Sequence, residues 1–246
     1  MPHSGSPPLD APTPELPEPI GPGPSPFWPQ HLIDLFIRPT RFFTGQLGLG
    51  RTPNALFVTW IVGISAAIDR IDTRLVQAEL RDDPARWESI ERLLATWPRF
   101  WGFALAAGVV GGAAYWWIGG WWCRVRLRWS GADAPDPTLA RLLLIYSSFV
   151  FAGPTVLSVA YQTTLHPSYI AAYQSESLLP LAVLAMIFWS IGTTYKGALA
   201  LFDVSSARAR IWFVALPLLF YFVLVGGFAA LFMILGDDPG GGAAPS

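Results

Sequence analysis

Few residues in this chain combine the type and the spacing that chemistry requires. Gly63-Ile64-Ser65 offers a serine inside an apolar run, and Ser147-Ser148 offers two more. A serine nucleophile needs a base within hydrogen-bond reach, yet His3, His31 and His166 all fall outside the apolar runs. A His-Glu-x-x-His metal motif is absent, as is a glycine-rich phosphate loop following a strand. Cys123 is the single cysteine, which excludes an intramolecular disulfide and a multi-cysteine metal site. Groups that couple transport to an ion gradient belong at mid-membrane, where they are costly and therefore informative. Asp69, Arg141, Lys196 and Asp203 sit instead at or near the ends of apolar runs. The expectation is a protein that is not an enzyme and holds neither cofactor nor metal.

The elements around these residues are apolar and long. Hydrophobic residues make up 52% of the 246 residues and charged residues 13%, about half the charge that soluble domains carry. The charges cluster between uncharged stretches, the pattern of a chain surrounded by lipid rather than water. A net charge of −1 gives nucleic acid binding no electrostatic support. Residues 1–30 carry no Lys or Arg and no apolar core segment, so no signal peptide is expected there and the internal spans direct insertion.

Residues 1–29 hold 11 of the 23 prolines. Proline lacks the amide proton and fixes φ, so this stretch reads as a disordered, partly polyproline tail, a spacer or a ligand for a proline-binding domain. In residues 30–43, Leu32, Leu35 and Phe36 share a helical face and Pro39 ends it. Arg38 and Arg41 beside Phe42 and Phe43 suit an interfacial helix, with cations at lipid headgroups and rings at the acyl boundary. A short helix packed against the bundle is an equal and compatible reading.

Five spans follow. The first, Asn54 to Ile68, is short for a bilayer that needs about 20 residues. Residues 69–99 carry two apolar stripes at helical spacing, Ile68, Ile71 and Leu75, then Trp87, Ile90, Leu94 and Trp97; they read as two short amphipathic helices on the membrane surface, the second opened by Asp83-Pro84. The second span, Phe100 to Trp122, contains Gly108-x-x-x-Gly112, a motif for close helix packing, and ends in an aromatic belt of Trp116, Trp117, Trp121 and Trp122. Arg124, Arg126 and Arg128 then form a basic patch that suits lipid headgroups or a topology anchor. The third span, Leu139 to Tyr161, carries Pro154, expected to kink it, and is the most polar, with Tyr146, Ser147, Ser148, Ser158 and Tyr161. The fourth runs from Leu178 to Tyr195 or on to Phe202, and the fifth from Ile211 to Leu235, with Gly226-Gly227 as a further packing site. Residues 236–246 read as a flexible tail.

Basic residues favour cytoplasmic loops. Arg38, Arg41 and Arg51, then Arg124 to Arg141, then Lys196, Arg208 and Arg210 alternate with segments free of Lys and Arg, residues 162–177 and the C-terminal tail. Five spans with the N-terminus inside and the C-terminus outside satisfy these. Residues 69–99, with six arginines among seven acids, break the rule and are placed outside as surface-lying helices. The composition suits a bacterial inner membrane.

Three stretches together resemble the Yip family, the Ypt- or Rab-interacting multispan membrane proteins, and above all its bacterial branch. They are Leu35-Phe36-Ile37-Arg38-Pro39-Thr40-Arg41-Phe42-Phe43 before the first span, Tyr146-Ser147-Ser148 followed by Gly153-Pro154, and the closing stretch Ala198 to Pro217 with Ser205-Ser206-Ala207-Arg208-Ala209. The resemblance covers residues 30–235 and implies a five-span all-α membrane domain with a cytoplasmic N-terminus. The Asp-Leu-Tyr-Gly-Pro segment of the eukaryotic branch is absent here, so Rab binding is not implied. The expected function is a non-catalytic scaffold or adaptor that binds membrane lipids or other membrane proteins. The alternative is a transporter or permease component with a polar path along the third span.

Overall fold

The computed structural model describes residues 23–26, 28–81, 84–175 and 179–223. Residues 1–22 of the proline-rich tail, Asp83, the end of the fifth span with Gly226 and Gly227, and residues 236–246 lie outside the described residues. In chain order the elements are β1 (Gly23–Ser25), α1 (Pro29–Ile37), α2 (Pro39–Gly45), β2 (Arg51–Pro53), α3 (Ala55–Arg81) and α4 (Pro84–Leu94). There follow α5 (Trp97–Trp129), α6 (Pro137–Leu165), α7 (Tyr169–Tyr173), α8 (Leu179–Leu201) and α9 (Ser206–Val223).

The chain is an all-α integral membrane bundle. Among the described residues four helices are long and apolar enough to cross a membrane: α5, α6, the Val183–Leu201 part of α8, and α9. Their outward faces are apolar, with Trp121, Leu157, Trp189 and Phe222 all exposed, as a lipid-facing surface requires. The expected first span falls in α3, which is not among these four: its apolar part ends at Ile68, and Asp69, Arg70 and Asp72 follow at once. The helix does not stop there. It continues without a break to Arg81, so Asp69, Arg70 and Asp72 ride on α3 itself. The first of the two expected surface helices is therefore a helical extension, because residues 69–81 contain no proline or glycine to end the helix. The second is α4, which starts at Pro84.

The crossing of α3 and α5 is backbone on backbone. A Cβ added to Gly63 would collide with the Gly108 carbonyl oxygen and the Gly112 nitrogen, and one on Gly112 would lie 2.8 Å from the Thr59 carbonyl oxygen. Gly108 and Gly112 thus pack within the chain, against a glycine of α3. α6 packs along both α3 and α8. It runs through Pro154 as one helix, and Asp136 starts it by accepting the Leu139 N–H at 2.7 Å. α5 contains one π-helical turn, Tyr115–Gly119, and α9 another, Ile211–Ala215.

Two cores fill the two ends of the bundle. One gathers Leu35, Phe42, Phe43, Leu127, Leu143, Tyr146, Ala198 and Phe213. The other gathers Ile68, Ile71, Leu75, Leu94, Trp97, Phe100 and Tyr169. Phe42 and Phe43 are fully buried instead of facing the acyl boundary. Phe42 meets the Tyr146 ring edge-on at 5.2 Å, while Gly197 leaves room for Phe43. α1 keeps an apolar outer face, with Ile33 and Ile37 exposed. The Trp189 indole donates to the Phe36 carbonyl at 2.7 Å, about 9 Å along α8 from Tyr195 at 1.5 Å per residue. α1 and α2 therefore form a hairpin set into the side of the bundle.

Part of the proline-rich stretch is ordered against this hairpin's exit. β1 pairs in parallel with β2, through Gly23 N–H to the Gly50 carbonyl at 2.9 Å and Asn54 N–H to the Ser25 carbonyl at 3.0 Å. Prolines are compatible with this ladder because the donors fall on Gly23 and Asn54, not on Pro24 or Pro26.

Gly63→Ala is expected to destabilise the protein by about 3 kcal/mol through overpacking. Gly102→Ala, whose new Cβ meets nothing within 4 Å, should be neutral or slightly stabilising. Thermal unfolding of the two variants in detergent, followed by tryptophan fluorescence, checks the contrast; equal midpoints would refute the crossing.

Candidate functional site: an acid-rimmed cavity and a basic end

The up-and-down course of the helices sorts the charges. At one end Ser205 N–H donates to the Ser130 carbonyl at 3.0 Å and Trp129 stacks on Trp212 at 4.5 Å. This end carries the α1–α2 hairpin, Arg124 to Arg141, Lys196, Arg208 and Arg210. At the other end the Trp97 indole donates to the His166 carbonyl at 2.7 Å and the Trp101 indole to the Thr163 hydroxyl at 3.1 Å. The C-terminal part of α3, α4 and α7 meet there. Residues 69–81 and 162–175 thus share one end, as an alternating chain requires.

The basic end does not place its cations alike. Arg38 and Arg41 are exposed at the α1–α2 junction, with Arg41 3.8 Å from Asp34. Arg124 donates to the Pro135 carbonyl at 2.9 Å, and Arg128 is exposed. Arg126, grouped with them as a headgroup contact, is turned inward and only 8% exposed. Its guanidinium lies 4.7 Å from the Phe213 ring centre, while its Nε has no hydrogen-bond partner among the described residues. Arg141 lies 4.4 Å from the Trp117 ring centre. The aromatic belt therefore serves the arginines as well as the lipid boundary.

The polar residues of the third span do not line a path. Tyr146 is fully buried and donates to the Pro53 carbonyl at 2.7 Å. Ser147 donates to the Leu143 carbonyl at 2.6 Å within its own helix, Ser148 is buried, and Tyr161 is exposed on the outside of the bundle. Pro154 removes the donor for the Val150 carbonyl without interrupting α6; next to it the Thr155 hydroxyl donates to the Phe151 carbonyl at 2.9 Å.

Open space lies elsewhere. A cavity of about 900 Å³ sits between α3, α5, α6, α8 and α9, within the usual range of ligand pockets. Its walls are mostly apolar, among them Phe103, Val110, Ile118, Phe151, Val183 and Ile187, with Ser65, Tyr115, Thr155 and Tyr221 as polar points. Asp69, Arg70 and Asp72 form its rim. A lateral groove of about 460 Å³, walled by Leu56, Trp60, Gly108 and Trp117, lies beside the glycine crossing.

Sequence reasoning set Asp69 at a span end and went no further. Without knowing that α3 continues past Ile68, the placement of Asp69 and Asp72 on a cavity rim has no signal beyond their i,i+3 spacing. Asp72 is held by Tyr169, whose hydroxyl donates to its Oδ1 at 2.6 Å; about two turns further along α3, Glu79 accepts from Tyr173 at 3.2 Å. Burial pushes the Asp72 carboxyl from the ordinary 3.8 up to about 6; the Tyr169 bond opposes this rise and neighbouring Asp69 adds to it. Burial, followed by Asp72, raises the Tyr169 hydroxyl in turn.

Because Asp72 binds its proton more tightly in the folded state, its contribution to stability is greatest below the unfolded value and is lost as pH rises to about 6. Thermal unfolding midpoints in detergent should therefore fall between about pH 4 and pH 6 and level off above. Asp72→Asn should remove that step; a variant with the wild-type pH profile would refute the assignment.

Compared with known proteins, the chain matches no family model, no curated protein and no solved structure.

Proposed function

We propose that this protein is a non-catalytic membrane scaffold or adaptor that binds lipids or other membrane proteins. The observation that carries this reading is the closure of the third span: Tyr146 and Ser147 are engaged by the fold itself, which leaves the alternative of a polar transport path along that span without its groups. The α1–α2 hairpin, set into the bundle with an apolar outer face and with Arg38 and Arg41 exposed, suits lipid contact at one leaflet.

Kinship with the bacterial branch of the Yip family belongs to the same proposal. What supports it is that the three resembling stretches meet: Phe42 touches Tyr146, and Leu35, Tyr146, Ala198 and Ala209 share one core. The proposed location is the bacterial inner membrane with the N-terminus in the cytoplasm and the C-terminus outside. The clustering of cations with the hairpin end supports that orientation.

Photocrosslinkers at lipid-facing Leu56, Val109 and Leu219 test the reading in native membranes. The expected result is a reproducible protein adduct of fixed mass at one of these faces, or a fixed class of co-purifying lipid. Neither, with or without residues 1–22, would overturn it.

A further inference from the structure

The cavity has a shape and a charge pattern that point to a ligand class. Along α5 its wall runs from Phe103 to Gly119, about 24 Å at 1.5 Å per residue. It is therefore a slot rather than a round chamber, long enough for one extended alkyl chain and open along the side where Val110 and Ile118 are exposed. The slot ends against the π-helical turn Tyr115–Gly119, a backbone irregularity of the sort that recurs at functional sites.

Polarity is confined largely to one side of the slot. The rim holds two carboxylates and one guanidinium, so with both acids ionised it carries one net negative charge. Asp72 is fixed there by Tyr169. Asp69 and Asp72 lie three residues apart on α3 and therefore on one helix face. Phe103 and Tyr115 add aromatic rings to the same cavity, and such rings attract ammonium groups. An anionic headgroup would meet two carboxylates; an apolar solute would leave the rim unused.

We propose that this slot binds a single-chain amphiphile with a cationic, ammonium-type headgroup. The headgroup sits between Asp69 and Asp72, and the chain lies along Val110, Ile118 and Ile187. This site goes beyond the scaffold reading and does not depend on it: partner crosslinking from the outer faces tests one, the slot the other.

The experiment uses the full chain in nanodiscs and a hexadecylammonium probe with a diazirine at the chain end. Adducts are expected in peptides covering residues 110–119, lost on addition of hexadecyltrimethylammonium but not of hexadecyl sulfate. Asp69→Asn, which leaves the Tyr169–Asp72 bond in place, should cut this labelling about fivefold. Competition by hexadecyl sulfate equal to that by the cation overturns the proposal. So does unchanged labelling of Asp69→Asn, or adducts spread evenly over the lipid-facing surface. To separate a free amphiphile from a membrane lipid, nanodiscs of phosphatidylethanolamine are compared with nanodiscs of phosphatidylglycerol. Protection in phosphatidylethanolamine alone assigns the same ammonium site to a lipid headgroup.

Discussion

The bundle is organised by one place where side chains are missing. At Gly63 the backbone of α3 lies directly on that of α5, against Gly108 and Gly112. In lipid there is little hydrophobic driving force between helices, so close van der Waals approach of small residues does much of the holding. The contact also sets the rest of the architecture. Past the crossing toward Asp72, α3 and α5 share the core of Ile68, Leu75 and Phe100. Beside it, room opens between α3, α5 and α9 for the cavity. An alanine at Gly63 would separate the helices at the point that fixes both.

A second constraint concerns hydroxyl groups inside the membrane, where each unsatisfied polar group costs several kcal/mol. The chain meets it locally. Thr59, Ser147, Thr155 and Thr194 each donate to the carbonyl four residues earlier in the same helix. Residues that look polar in the sequence are thus neutralised one at a time and form no continuous wet track. Tyr146 is the exception that joins two elements, since its bond to Pro53 ties the start of α3 to α6.

How much was legible in the sequence follows from this division. The long apolar runs and the Gly108–Gly112 motif are local signals, and the structure places helices and contacts where they indicate. Gly63 was not legible, because one glycine in an apolar run has meaning only through the helix it faces. Phe42, Phe43 and Arg126 were read by composition as interfacial. Their burial depends on Tyr146 and Gly197 for the two rings and on Phe213 for the guanidinium, all distant in sequence. The β1–β2 ladder was hidden for a similar reason: three prolines at alternate positions suggest a free polyproline chain, yet the amides of Gly23 and Asn54 supply the bonds. The cavity rim depended on α3 passing Ile68, which the charges of Asp69 and Arg70 argued against.

The two ends solve the problem of placing charge near lipid in opposite ways. At the hairpin end arginines lie over aromatic rings, Arg126 over Phe213 and Arg141 over Trp117, so cations sit low in the bundle at reduced cost because rings replace part of their hydration. At the far end tyrosine hydroxyls hold carboxylates, Tyr173 on exposed Glu79 and Tyr169 on Asp72, and Asp72 sits low because its donor replaces water. The arginines of the far end, Arg70, Arg74, Arg92 and Arg99, remain exposed at the surface. The sequence-level violation of the charge rule is thereby eased. Charge buried at the hairpin end is cationic, whereas the charge drawn inward at the far end is the carboxylate of Asp72, which faces the cavity.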